Sequence, residues 1–261
     1  MTGLRAIMVC VDYADVLAIT LPRNRHHFSE IMVVTSEEDK ATQDLIVRLG
    51  VQGYVTDAFY RNGAKFNKWL AMEEGLDRFG RLGGQGKGCW ICLMDADVIW
   101  PHDAPFDPQV GELWTPLRRM CHLTDNPPSE DQWHRYPLHR NVLEWAGYSQ
   151  VFHTNDPHLP PPPWHETDWT HAGGADSIFQ RCWPMVQKRR PSWEVLHLGE
   201  AGQNWYGRAT PRTDGTIPPE AGDRLKSCSN IWSGRRALRG AGATEAEQFR
   251  PEKIGSRDGV C

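Results

Sequence analysis

The chain has 261 residues, 39% hydrophobic and 24% charged, with a formal net charge of -4 and a mean hydropathy of -0.57. This composition excludes a disordered or collagen-like chain, and no apolar run approaches the roughly 18 residues of a membrane span. The charge is uneven: residues 1–180 hold 15 Lys and Arg against 24 Asp and Glu, whereas residues 181–261 hold 14 against 9, so the last third is suited to meet phosphate groups.

The length fits one large α/β domain. Met1 runs into a strand-like segment without the basic, apolar and small-residue succession of an export signal, so the expected location is cytoplasmic. Seven scattered Cys are then expected to be reduced.

From Arg5 to Val11 the chain is nearly all apolar and stops at Asp12, as in a strand buried on both faces of a parallel sheet. A helix-like segment through Val16, Leu17, Ile19 and Leu21 follows, then a second strand at Ile31 to Thr35. Ser36 is the expected N-cap of the next helix, which Gly50 closes. A third strand, Val51 to Thr56, leads to a helix predicted from about Ala64 to Phe79. There Phe66, Trp69, Leu70 and Leu76 recur at helical spacing, and Glu73, Glu74, Asp77 and Arg78 fill the other faces.

The link from Gly83 to Gly88 lacks the Ser or Thr and the preceding strand of a Walker loop, so it reads as a connector. It enters a fourth strand, Cys89 to Met94. Cys89 and Cys92 form a C-x-x-C, but positions three apart in a strand face opposite ways, which disfavours a shared metal. Strands alternating with helices predict a Rossmann-like half with a mainly parallel sheet, whose ligands bind beyond the carboxyl ends of the strands. Asp12 and the pair Asp95 and Asp97 stand at two such ends.

After Trp100 the periodicity fades. Nine of the 12 Trp lie from Trp114 onward, among many of the 19 Pro, so this half is expected to be ring-packed loops with a helix near Asp176 to Trp183. The expected organisation is a single domain over residues 1–240, with a nucleotide-binding half (1–100) and an acceptor-binding half (101–240), followed by a mobile tail at 241–261.

As a tripeptide Asp95-Ala96-Asp97 carries little information, and its position is what counts. Two carboxylates leaving an apolar strand at the ligand edge suit Mg²⁺ or Mn²⁺ holding a diphosphate. A nucleotide half, a strand ending in D-x-D and a less regular second half together resemble the GT-A glycosyltransferases. Three more segments carry the resemblance. Lys65 to Gly75 (KFNKWLAMEEG) is similar to the helix preceding D-x-D. Trp169 to Arg181 (WTHAGGADSIFQR) resembles the W-G-G-E-D segment of the inverting galactosyltransferase-type members. His197-Leu198-Gly199, followed by Asn204 to Arg208, resembles the late His of several GT-A families.

The resemblance implies an α/β GT-A fold and a metal-dependent transfer of a sugar from a nucleotide-diphosphate donor, UDP-sugar favoured, to a hydroxyl acceptor. It implies Asp95, Asp97 and His197 as metal ligands. Asp12, Asp95, Lys65 and Arg208 would meet the donor. Asp176 would be the general base of an inverting reaction, with Glu166 and Asp168 in reserve. Gly173 and Gly174 would let the backbone approach the sugar, and Trp164, Trp169 and Trp205 would stack on ligand. Ala175 stands where the pattern has Glu, which puts the usual amino-sugar acceptor in doubt.

Two other readings stay open. The basic last third, with Lys188-Arg189-Arg190, Arg235 and Arg236, would suit a hydroxylated base in DNA as acceptor. A nucleotidyltransferase also has strand-end carboxylates, but it predicts a basic Gly-rich loop after the first strand, where Asp12-Tyr13-Ala14-Asp15 stands instead.

Overall fold

The apolar runs of the first hundred residues form strands β1 (Leu4–Val9), β2 (Glu30–Thr35), β3 (Gln52–Val55) and β4 (Trp90–Asp95), with helices α1 (Ala14–Asn24), α2 (Lys40–Leu49) and α3 (Lys68–Phe79) between them. The computed structural model describes residues 3–80, 88–122, 126–139, 145, 147–199, 203–219 and 221–228. The expected tail at 241–261, Arg235, Arg236 and most of the Gly83 to Gly88 link lie outside the described residues.

Later elements are short: β5 (Val98–Ile99), β6 (Leu113–Trp114), β7 (Leu117–Cys121), β8 (Ser149–His153), α4 (Ala175–Phe179), β9 (Lys188–Arg189) and β10 (Glu194–Leu198). The main sheet has the order β3-β2-β1-β4-β8-β6-β9. Its first four strands are parallel, and β8 runs antiparallel to both β4 and β6. This is the α/β, mainly parallel architecture expected from the sequence. A second sheet, β5-β10-β7, stands beside it.

Alternation along the strands explains why both faces are covered. Leu4, Ala6 and Met8 pack with Cys92, Met94 and Leu17 on one face, while Ile7 and Val9 pack with Leu93, Met72 and Leu76 on the other. Cys89 and Cys92 fall into opposite clusters, as their spacing predicted.

Helix boundaries differ from expectation where a side chain caps later than the pattern starts. Asp39, not Ser36, caps α2, its Oδ1 accepting from Thr42 N at 3.0 Å, and Gly50 closes the helix at φ 62°. Asn67 caps α3 by accepting from Leu70 N at 3.0 Å, so the helix begins four residues later than the periodicity implies. Glu73, expected on a polar face of α3, is buried against His165, whose Nδ1 lies 2.6 Å from its carboxylate.

Candidate active site

The carboxyl ends of β1, β2 and β4 share one edge of the main sheet, and the chain turns sharply after each. Asp12 follows β1 at φ 60°, a left-handed conformation that Asp tolerates better than most residues. Asp39 holds the turn, accepting from Asp12 N at 2.7 Å while capping α2.

Beyond Asp95 the chain leaves the main sheet for β5, and α1 secures this turn. Thr20 donates to Ala96 O at 2.6 Å, and Asn24 donates to Val98 O at 2.7 Å. Asp97 O in turn accepts from Leu198 N at 2.8 Å, and β5 pairs with β10 so that Val98 lies opposite His197. Residues a hundred positions apart are thereby fixed side by side.

One ligand atom each of Asp95, Asp97 and His197 lies within 4.8 Å of the others. His197 Nε2 is 3.5 Å from Asp97 Oδ1, and Asp97 Oδ1 is a buried oxygen without a hydrogen-bond partner. Burial, then the neighbouring Asp95 charge, pushes the Asp97 carboxyl up to about 7. Burial, then the neighbouring Arg118, the His139 imidazole and Lys68, holds the His197 imidazole well below its usual range and therefore neutral. A neutral imidazole, the unpartnered Asp97 oxygen and the neighbouring Asp95 carboxylate form a donor set of two oxygens and one nitrogen. Mn²⁺ or Mg²⁺ fits it, and binding would remove the repulsion that raises Asp97.

The expected donor-side cations are placed differently. Lys65 is exposed, its ammonium 5.4 Å from the centroid of Tyr206. The cation that reaches the carboxylates is Lys68, which is buried and pairs directly with Asp95. Its sequence signal was the second Lys of KFNK, placed by the Asn67 cap at the start of α3.

Arg208 is 1% exposed and spans Asp15 with both terminal nitrogens. Its remaining contacts go to the carbonyls of Asp12 (2.6 Å), Thr210 (3.2 Å) and Pro211 (2.7 Å). All five N–H groups are thus engaged, which corrects the expectation that Arg208 meets the diphosphate: it ties the last segment to the β1 turn. Burial raises the Asp15 carboxyl, but Arg208 and the Thr213 N–H outweigh this and hold it below the usual range.

Asp176 sits in the first turn of α4, half-buried, and its Oδ2 accepts from Gly147 N at 2.6 Å. The backbone oxygen of the next residue, Tyr148, accepts from Asp95 N at 3.0 Å, so Asp176 and Asp95 are tied to one stretch of backbone before β8. Gly174 caps α4 at φ 112°. A Cβ on Gly173 would lie 2.8 Å from the Trp205 ring, and one on Gly174 would lie 2.7 Å from Trp169. The glycines therefore admit indoles where the sequence predicted a sugar. Trp169, at 2% exposure, is core, Trp164 is buried at 5%, and Trp205 is half-buried beside His171. Glu166 and Asp168 line a separate cavity of about 1030 Å³ with Trp164, His165 and Ile178.

The basic run expected to track nucleic acid is engaged internally. Lys188 is buried and donates to Gln180, Arg189 pairs with Glu112 at 2.8 Å, and Arg190 lies over Trp145 at 4.1 Å and donates to Thr115 O at 2.8 Å. No helix among the described residues is long and apolar enough to cross a membrane.

No family model and no curated protein matches the chain. Among solved structures it is similar to mannosyl-3-phosphoglycerate synthase from Rubrobacter xylanophilus, at 13% identity and TM-score 0.46, over 96% of this chain and 78% of that one. It is also similar to glucosyl-3-phosphoglycerate synthase from Mycobacterium tuberculosis in complex with Mn²⁺, UDP-glucose and glycerol 3-phosphate, at 11% identity and TM-score 0.47, over 94% and 82% of the two chains. A second structure of the M. tuberculosis enzyme matches at 11% identity and TM-score 0.42, over 97% and 88%.

Proposed function

We propose that the protein is a metal-dependent glycosyltransferase that moves a sugar from a nucleotide-diphosphate donor, a UDP-sugar, to a hydroxyl acceptor with inversion. The observation that carries this reading is the convergence of Asp95, Asp97 and His197 at the ligand edge of a mainly parallel α/β sheet. Asp95, Asp97 and His197 would hold Mn²⁺ or Mg²⁺, which when bound would supply positive charge against the diphosphate.

The chain's own residues do the rest. Asp12, beside the β1 and β2 ends, faces the base or ribose, and Lys68 keeps a cation next to Asp95. Asp176 takes the proton of the acceptor hydroxyl as its oxygen bonds to the anomeric carbon. The bond from that carbon to the diphosphate oxygen breaks, and the nucleoside diphosphate leaves with the electron pair. Tethering Asp176 through Gly147 to the segment that holds Asp95 supports this role, because base and leaving group are oriented by one piece of backbone.

A thermal-shift screen of nucleoside diphosphates and nucleotide sugars, with and without Mn²⁺, tests the reading. Metal-dependent stabilisation by a nucleotide, lost in Asp97→Ala, is expected. Absence of any metal-dependent nucleotide effect refutes it.

A further inference from the structure

Two arginines follow each other in β7, and they point to opposite faces of the small sheet. Arg119 is fully engaged: it pairs with Glu194 and donates to Tyr136 O at 2.8 Å. Arg118 lies on the face that carries His197, since β7 and β10 run parallel with Arg118 opposite Val195 and Met120 opposite His197. Among the described residues Arg118 has no carboxylate partner. Its Nε is buried without a hydrogen bond, and one terminal nitrogen reaches only the neutral acceptor His139 Nε2 at 3.4 Å. Burial, then Arg118 itself, pushes the His139 imidazole down to about 4, so His139 does not compete as a cation.

The guanidinium is close to the metal centre. It covers the face of Tyr148 at 4.3 Å, and the same ring meets the His197 imidazole edge-on at 6.4 Å. The sheet order decides which ligand it faces. Asp12 and Asp39 lie on the β1 and β2 side of β4, where the nucleotide belongs. Tyr148, Gly147 and the Asp176 tether lie on the opposite, β8 side, together with Arg118. A planar fork with free donors matches a carboxylate or phosphate in two-point contact.

We propose that Arg118 is an acceptor-recognition residue, and that the hydroxyl acceptor carries an anionic group, carboxylate or phosphate, held by Arg118 beside the metal centre on the side away from the nucleotide. This rests on the glycosyltransferase reading above.

Calorimetric titration of the full chain, loaded with Mn²⁺ and with UDP or GDP, whichever the wild type binds, tests it. The probes are glycerol, glycerate and glycerol phosphate, which share hydroxyls and differ in charge and in the kind of anion. The expected result is binding of one or both anions but not of glycerol. Arg118→Gln should weaken that binding about tenfold or more, the size of a hydrogen bond to a charged group, and weaken the Mn²⁺-nucleotide affinity by much less. Arg118→Lys, which keeps the charge without the fork, should retain part of the binding and secures the test if the Gln variant does not fold. Equal binding of all three probes, or of none, overturns the proposal, as does an equal loss of nucleotide affinity in Arg118→Gln, which would assign the residue to the donor. Failure of the wild type to bind any nucleotide with Mn²⁺ refutes the glycosyltransferase reading itself.

Discussion

The ammonium of Lys68, the first residue of α3, is paired with the carboxylate of Asp95, the last residue of β4, across 27 positions of sequence. Asp95 therefore already has a cation before any metal arrives, and the two compete for the same oxygens.

Removing that competitor has a measurable sign. Lys68→Met should raise the affinity of the nucleotide-free protein for Mn²⁺ by about tenfold, the order of repulsion between a cation and a divalent ion a few ångströms apart. Turnover should fall, because the diphosphate loses a neighbouring charge. Titration of free Mn²⁺ by its paramagnetic resonance signal checks the first outcome; unchanged affinity would show that the ion pair does not oppose metal binding.

For Asp176 the informative variant is Asn, which still offers an oxygen to Gly147 N. Asp176→Asn is expected to fold, to bind Mn²⁺ and nucleotide like wild type, and to lose sugar transfer by about 10²- to 10⁴-fold, the usual worth of a general base. Transfer kinetics at saturating donor decide this, and a near-normal rate would place the base elsewhere or make the reaction retaining.

Gly174→Ala combines a left-handed backbone at φ 112° with a Cβ only 2.7 Å from the Trp169 ring. It should lower stability by about 2 kcal/mol or more, measured by urea unfolding. A neutral result would mean that Trp169 is free to move aside.

Arg208→Lys separates a structural from a ligand-binding role. Losing the two-point contact with Asp15 and the fork's bonds to backbone carbonyls should cost about 1–3 kcal/mol, read as a lower midpoint of denaturant unfolding. Folded variant protein should keep its nucleotide affinity. A large affinity loss with unchanged stability would return Arg208 to the diphosphate.

His27 predicts an acid-side slope unrelated to the metal centre. Burial, then its neighbours His26 and His102, pushes its imidazole down to about 4, and it packs 5.5 Å from Trp100. The unfolded chain binds the proton more readily than the folded one between about pH 4 and 6.5, so stability should be lost as pH falls through that window. His27→Gln should flatten this part of the stability profile in a series of thermal melts.

The sequence by itself determined the layers of the first half, because apolar runs ending in Asp and amphipathic stretches closed by Gly depend on spacing alone. It also singled out Asp95 and Asp97 by their place at a strand end, and His197 through the resemblance to the GT-A glycosyltransferases. Tertiary structure decided which partners those groups have. Lys68 rather than Lys65 meets Asp95 because an Asn cap sets the phase of α3, and Arg208 is tied up because a segment two hundred residues away folds back on Asp15. Trp169 became core, and Arg118 gained its place on the face of His197 through the pairing of β7 with β10. A side chain's type is written in the chain, but its free valences depend on what packs against it, and that is set by contacts far apart in sequence.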